Sequence, residues 1–536
     1  MNNIRRYLSA LAATMPLLCS AVNPASAQRL RDTPNIPSEI KAIFDAPRYK
    51  GATWGLRVID LETGQPIINL EPHHKFYIGS VRKLFSVGEL MNEIGPGHTF
   101  NTPVYRQGHI SEAGTLHGDL ILVASGDLTM GGRTNPDGTV AFSDFDHNEA
   151  NSLGNAVLTT PDPLAGYAAL AQQIAASGIK KITGDVVIDD RLFRPFNFRG
   201  EFDVKPIFVN DDVVDLIINP TNLGELASVT HRPESAALAI DNAVRMVPAD
   251  ADLDINPELP PCIGQPGCTV TLHGELPVDL APPLTGRYPL IRTYRIVDPS
   301  SYARTVLIEK LRAAGVKVEA PTVEPNPTQL LPAKNSYDPG TRVAQLQGLP
   351  YAEDAKLINK VSYNIGADTS IVLYGLTQGV NGMKPALAVE RKNLHLNYGI
   401  RPNEYFFIDG SGGGETTATT PAVTRLLAEM SGRPAFPQYL ASFPILGVDG
   451  SLGTVTDFES DATLAPAKGQ VRAKTGTYVE DSLVKAQAFA GYIDASSGRK
   501  LAYEVVVNNV PFKALSDVIQ IFQDEGTISA ILWRDN

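Results

Sequence analysis

The chain has 536 residues, 43% of them apolar and 19% charged, and a formal net charge of −12. That length exceeds what one hydrophobic core sustains and implies about three domains, while the balanced composition argues against a disordered chain. So acidic a total leaves no broad basic face for nucleic acid or anionic lipid, although local cationic pockets remain open.

Residues 1–27 read as a secretory signal. Arg5 and Arg6 supply the charge, residues 8–18 the short apolar run, and Ala25-Ser26-Ala27 a small-residue cleavage site. Pro16 and Asn23 interrupt the apolar stretch, and beyond it no run is long enough to span a bilayer, so no transmembrane anchor is expected. Cys19 falls inside the signal. Cys262 and Cys268, separated by a glycine-containing segment, suggest a disulfide in an exported chain, with two free thiols as the alternative. Two cysteines with no histidine close by make no tetrahedral metal set, and no metal or cofactor is expected.

In chain order, Ser38–Phe44 reads as a helix with Ser38 as its cap. Thr53–Asp60 and Pro66–Leu70 read as a hairpin around Leu61-Glu62-Thr63-Gly64-Gln65. A helix starts near Ser80, with Val81, Leu84, Phe85, Met91 and Ile94 at helical spacing, and Gly95-Pro96-Gly97 stops it. Residues 118–123 and 184–189 read as strands around a helix at 163–177. The segment 200–290, rich in proline and short apolar runs, suggests small β modules. A helix at 302–314 and a proline-rich connector at 321–332 follow. Residues 470–477, 485–493 and 500–510 read as antiparallel strands, and 514–532 as a closing helix. Strands and helices at both ends suit one α/β domain split by an insertion.

Three short motifs carry chemistry: Ser80-Val81-Arg82-Lys83, Ser362-Tyr363-Asn364 and Lys474-Thr475-Gly476. S-x-x-K alone is weak, because it also occurs at Ser38-Lys41, Ser177-Lys180, Ser482-Lys485 and Ser497-Lys500. Only Ser80 opens a helix that continues through its lysine, which sets positions i and i+3 on one face. Ser38 is better used as a cap, Gly178 ends the helix after Ser177, and the last two pairs lie in strands or turns. A serine hydroxyl attacks only when a base removes its proton, and a lysine serves as base only when burial or a second cation depresses its pKa. Lys474 is placed to be that cation. Lys474 and Thr475 together suit a carboxylate, and Gly476 lets a ligand lie against the strand, where the Thr477 amide can donate to an oxyanion. The Ser362 hydroxyl suits proton relay, and the Asn364 amide suits orienting the lysine and a substrate carbonyl.

In this order the triple is the S-x-x-K, S-x-N, K-T-G pattern of active-site serine penicillin-binding proteins and serine β-lactamases. Further stretches narrow the resemblance: Gly51-Ala52-Thr53-Trp54-Gly55, Gly126-Asp127, Ile182-Thr183-Gly184-Asp185, Asn359-Lys360-Val361-Ser362, Asp409-Gly410-Ser411-Gly412 and Gly447-Val448-Asp449-Gly450. With about 280 residues between the first two motifs, the chain resembles the low-molecular-mass class C penicillin-binding proteins. These are the D-alanyl-D-alanine carboxypeptidase/endopeptidases of peptidase family S13.

The resemblance implies a β-lactamase/transpeptidase-like catalytic domain, an antiparallel sheet flanked by helices, formed by residues 28–100 and 341–536. Inserted modules would fill 101–340, with 101–200 and 291–340 as one and 201–290 nested as a second. It implies Ser80 as acylated nucleophile, Lys83 as base and Ser362 as relay. Asn364, Lys474, Thr475, Gly476 and Thr477 would bind substrate, with the Ser80 and Thr477 amides as oxyanion hole. The expected partners are peptidoglycan stem peptides and β-lactams, in a periplasmic setting. Gly79, Tyr363 and Gly413-Gly414-Glu415 depart from the usual family residues.

Other readings fit less well. An α/β-hydrolase needs G-x-S-x-G, and the near misses around Ser411 and Ser451 begin with Asp and have no histidine after them. His73-His74 is an adjacent pair without H-E-x-x-H. A serine β-lactamase shares the motifs but not the insertion. A catalytically inactive peptidoglycan-binding scaffold has no need of the complete motif set.

Overall fold

The computed structural model describes residues 36–257, 262, 265 and 267–536; the expected signal, residues 1–27, lies outside them. Both ends of the chain build one sheet. Its edge strand is Val471–Glu480, followed in order by Leu483–Asp494, Lys500–Asn508, Thr53–Asp60 and Pro66–Leu70, all antiparallel. Thr53 pairs with Asn508 and Asp60 with Leu501, so the amino-terminal hairpin completes a sheet begun by the carboxy-terminal strands.

The apolar runs of the central strands follow from coverage on both faces. Val505 and Val507 pack in one core with Ile40, Phe44, Ile521 and Ile528, from the terminal helices α1 (Ser38–Phe44) and α9 (Leu515–Asp535). Val506 points the other way, into a core with Leu84, Ile358, Ile371 and Leu426. Those four belong to α2 (Lys83–Ile94), α5 (Tyr351–Lys360), α6 (Asn364–Thr377) and α8 (Thr420–Ser431); α7 (Met383–Tyr398) packs beside α6. The alternation along one strand thus assigns a helical layer to each face.

The insertion leaves and re-enters at one place. Thr99–Ile110 pairs antiparallel with Arg342–Pro350, Thr99 opposite Pro350, and α5 starts at the next residue. These two strands join Thr115–Val123, Lys181–Ile182, Val186–Asp189 and Lys317–Val318 in a second sheet, covered by α3 (Ala165–Ala176) and α4 (Pro299–Ala313). Val213–Asn219 forms a small sheet with Ser228–Arg232 and Leu290–Arg295, while Ala239–Val247 pairs in parallel with Thr269–Pro277. Cys262 and Cys268 are joined by a disulfide.

Two local expectations are corrected. Pro37, not Ser38, occupies the cap of α1, and no side chain caps that helix. Ser80 does not open a regular α-helix: it stands in a single 3-10 turn, Gly79–Arg82, and α2 begins at Lys83. Among the described residues no helix is long and apolar enough to cross a membrane.

Candidate active site

The three motifs converge where the Ser80 turn passes between the edge strand Val471–Glu480 and the start of α6. Gly79 has φ +48°, and a β-carbon there would lie 2.8 Å from the Thr477 backbone nitrogen. A β-carbon on Gly476 would lie 2.1 Å from the Ile78 carbonyl oxygen. Both glycines let the Ser80 turn press against the strand backbone.

Lys83 Nζ meets three acceptors: Ser80 Oγ at 2.5 Å, Asn364 Oδ1 at 2.7 Å and the Ser411 carbonyl at 3.0 Å. Two of these are carbonyl oxygens that only accept, and the third is a hydroxyl that also donates. A neutral lysine keeps two N–H donors for the carbonyls and turns its lone pair to the Ser80 hydroxyl. The arrangement therefore serves the base form without moving a heavy atom. Lys83 is fully buried, and burial, with the nearby Arg199 cation, lowers its pKa to about 7 against the pull of Glu149, Asp368 and Asp409.

Lys474, also fully buried, donates to Ser362 Oγ at 3.0 Å and to the Thr475 carbonyl at 2.7 Å. Burial and then the charge of Lys83 push its pKa well down. Arg199 is thus a further cation acting on Lys83, beside the mutual repulsion between Lys83 and Lys474. Ser362 has φ +63°, a left-handed conformation unusual for serine, two residues before α6. Thr475 Oγ1 lies 2.8 Å from Ser451 Oγ, and Thr477 Oγ1 donates to Gln487 at 2.8 Å. Ser80, Ser362 and Asn364 are half-buried and Thr477 is exposed, whereas both lysines and Thr475 are buried.

The quoted flanking stretches are struts. Lys360, two residues before Ser362, donates to both oxygens of Asp449 at 2.6 and 2.7 Å, which ties that loop to the segment carrying Ser451. The Asp409 carboxylate accepts from the amides of Ser411, Gly412 and Gly413, at 2.7–3.0 Å, and so shapes the turn that offers the Ser411 carbonyl to Lys83. Arg82 donates to the Asp409 carbonyl at 2.9 Å and to Glu390 at 2.7 Å. Ser411 itself is buried, unlike a hydrolase nucleophile, and His73 and His74 are exposed. Two contributors carried no sequence signal: Arg199, which donates to Ser411 Oγ at 3.4 Å, and Glu149, which accepts from Asn364 Nδ2 at 3.2 Å. Both come from the insertion.

With this fold and this clustering of motifs, the chain belongs to the D-Ala-D-Ala carboxypeptidase 3 (S13) family, whose model matches residues 37–523. It is similar to the D-alanyl-D-alanine carboxypeptidase of Actinomadura sp. (strain R39), 24% identical over 541 residues that span 93% of this chain and 86% of the relative. Its fold is that of penicillin binding protein 4 (dacB) from Haemophilus influenzae. That likeness has a TM-score of 0.68 at 18% identity and covers 92% of this chain and 99% of the other. The same Haemophilus protein in complex with a β-lactam superposes with a TM-score of 0.65 over the same shares.

Proposed function

We propose that the protein is a serine-type D-Ala-D-Ala carboxypeptidase, with D,D-endopeptidase activity, that trims peptidoglycan stem peptides through an acyl-enzyme on Ser80. Neutral Lys83 takes the Ser80 proton as Oγ bonds to the penultimate D-alanyl carbonyl carbon. The Ser80 and Thr477 amides receive the developing oxyanion. Collapse breaks the C–N bond, the leaving amine takes the proton held on Lys83 by relay through the Ser362 hydroxyl, which leaves Lys83 neutral again, and D-alanine departs. Water then cleaves the ester and restores Ser80. Lys474 and Thr475 hold the terminal carboxylate beside Gly476, and Asn364 holds a substrate carbonyl. A β-lactam enters the same sequence and stays on Ser80.

The observation that carries this reading is the set of three partners around Lys83, which suits a neutral amine accepting from Ser80. Membership of the S13 family supports the substrate class. The residue 1–27 signal reading supports periplasmic export. The pairing of Thr99 with Pro350 supports a catalytic domain of 28–100 and 341–536 around inserted modules at 101–340.

Intact-mass analysis after incubation with benzylpenicillin tests the proposal. Wild type should gain the mass of one β-lactam, and Ser80→Ala should gain none. Digests of purified muropeptides should then show monomers losing D-alanine and cross-linked dimers splitting. A folded wild type that takes up no β-lactam and changes no muropeptide overturns the reading.

A further inference from the structure

The Asn364 amide has two chemically opposite ends, and its work depends on which end faces Lys83. Oδ1 accepts from Lys83 Nζ at 2.7 Å, while Nδ2 donates to Glu149 Oε1 at 3.2 Å. A carboxylate only accepts, so Glu149 tolerates only the amide nitrogen. Turning the amide over would set its N–H groups against Lys83 and its oxygen against the Glu149 carboxylate. We infer that Glu149, reaching in from the insertion, is a positioning residue that locks the Asn364 amide and, through it, holds the Lys83 amine on Ser80. This rests on the acyl-enzyme reading above.

The insertion is built to hold Glu149 still. The residue ends a single 3-10 turn, His147–Glu149, capped by Asp146, which accepts from the Asn148 amide. Arg133 donates to both Asp146 oxygens at 2.7 and 2.8 Å and to Asp211. His147 lies between Asp215 at 2.7 Å and Asp211 at 3.1 Å, and Asn148 Nδ2 donates to Asp146 and Asp211, each at 3.0 Å. Every member is buried. Breaking such a network strands a buried charge, so the turn has little freedom. Asn210, Asp211 and Asp212 are three successive non-glycine residues with φ of 49°, 57° and 60°. Strain of that kind persists only where the surroundings over-determine it. The Asp211 carbonyl also accepts from Tyr363 OH at 3.4 Å, so the insertion grips two adjacent residues of the S-x-N motif.

Charge gives the contact a second consequence. Glu149 shares a polar cleft of about 380 Å³ with Arg199, Glu201, Arg295 and Asn364. Lys83 faces Arg199 as a like charge and Glu149, Asp368 and Asp409 as opposite ones, and Lys474 stands near both Lys83 and Glu149. Glu149 favours the charged form of Lys83, so neutralising it should release the Lys83 proton at lower pH.

The test is the second-order rate of acylation by a fluorescent penicillin, measured across pH for wild type, Glu149→Ala and Glu149→Gln, with melting temperature and final acylated fraction recorded. Glu149→Ala frees the amide and should slow acylation by up to about a hundredfold. Glu149→Gln keeps an oxygen that accepts from Nδ2, so it should recover most of the plateau rate while its acid limb moves to lower pH. A Glu149→Ala protein that acylates like wild type per folded molecule overturns the inference, even if it melts lower. So does a Glu149→Gln protein as slow as Glu149→Ala with an unmoved limb. A wild type that is not acylated at all defeats the functional reading first, and the inference with it.

Discussion

Gly412 lies directly against Gly79: a β-carbon on Gly412 would stand 2.0 Å from the Gly79 carbonyl oxygen. Gly412 also has φ +97°, which L side chains rarely adopt. Together with Gly476 against Ile78, this clamps the Ser80 turn between two backbones, one from the Asp409-Gly410-Ser411-Gly412 stretch and one from Lys474-Thr475-Gly476.

Gly412→Ala should therefore cost both stability and activity. Strain and a backbone clash together predict a loss of roughly 3 kcal/mol. Displacement of Ser80 by a fraction of an ångström predicts acylation slowed by one to two orders of magnitude. Gly498→Ala is the control, because Gly498 has φ +92° with nothing within 4 Å of an added β-carbon. It should lose only about 1 kcal/mol and acylate normally. Equal acylation rates in the two variants would refute the clamp.

Lys83 must be neutral to accept the Ser80 proton. Its pKa is lowered to about 7, so the competent fraction grows as pH rises through that value. Wild-type acylation should show an acid limb with its midpoint near 7. Lys83→Arg keeps the charge but cannot deprotonate, and should lose about three orders of magnitude or more at every pH. A flat profile from pH 5.5 to 9, or an active Lys83→Arg, would remove Lys83 from the role of base.

The legible part of this molecule is local. Strand alternation located the central sheet, as at Thr53–Asp60, and the order of the three motifs named the side chains that meet at Lys83 and Lys474. Glu149 and Arg199 were illegible for a plain reason. Each is one charged residue with no periodic setting, and Glu149 meets Asn364 across 215 residues of chain. The added influence of Arg199 on Lys83 was hidden likewise, because which charges reach Lys83 depends on folded distances. The parallel pairing of Ala239–Val247 with Thr269–Pro277 was also unreadable, since either strand alone fits an antiparallel hairpin as well.

Glu504, fully buried in the strand Lys500–Asn508, has no hydrogen-bond partner for either carboxyl oxygen among the described residues. Burial pushes its pKa well above the usual carboxylate range. The folded chain keeps a proton that the unfolded chain releases near pH 4, so this group's contribution to stability is full below that pH and is lost as pH rises toward its folded value. Glu504→Gln removes the linkage. In urea unfolding between pH 5 and 8, the variant should gain on wild type by up to about 1.4 kcal/mol per pH unit. A stability difference that stays constant over that window would show that Glu504 ionises normally.

Arg199 reports on Lys83 from the side opposite in sign to Glu149. Its guanidinium, over the Phe198 ring at 5.0 Å, donates to Ser411 Oγ, and the Ser411 carbonyl accepts from Lys83. As a nearby cation it helps lower the Lys83 pKa. Arg199→Gln removes that repulsion, so Lys83 holds its proton more tightly and the acid limb of acylation should move to higher pH. Rates below pH 7 should fall, while alkaline rates converge on wild type because the base is then neutral in both. Glu149→Gln moves the limb the other way, and the double variant should return it toward the wild-type position. A limb that moves in the same direction in both single variants would mean that geometry, not charge, governs the two contacts. Opposite movements that cancel in the double variant would mean that the insertion sets the working pH of the Ser80–Lys83 pair by balancing one carboxylate against one guanidinium.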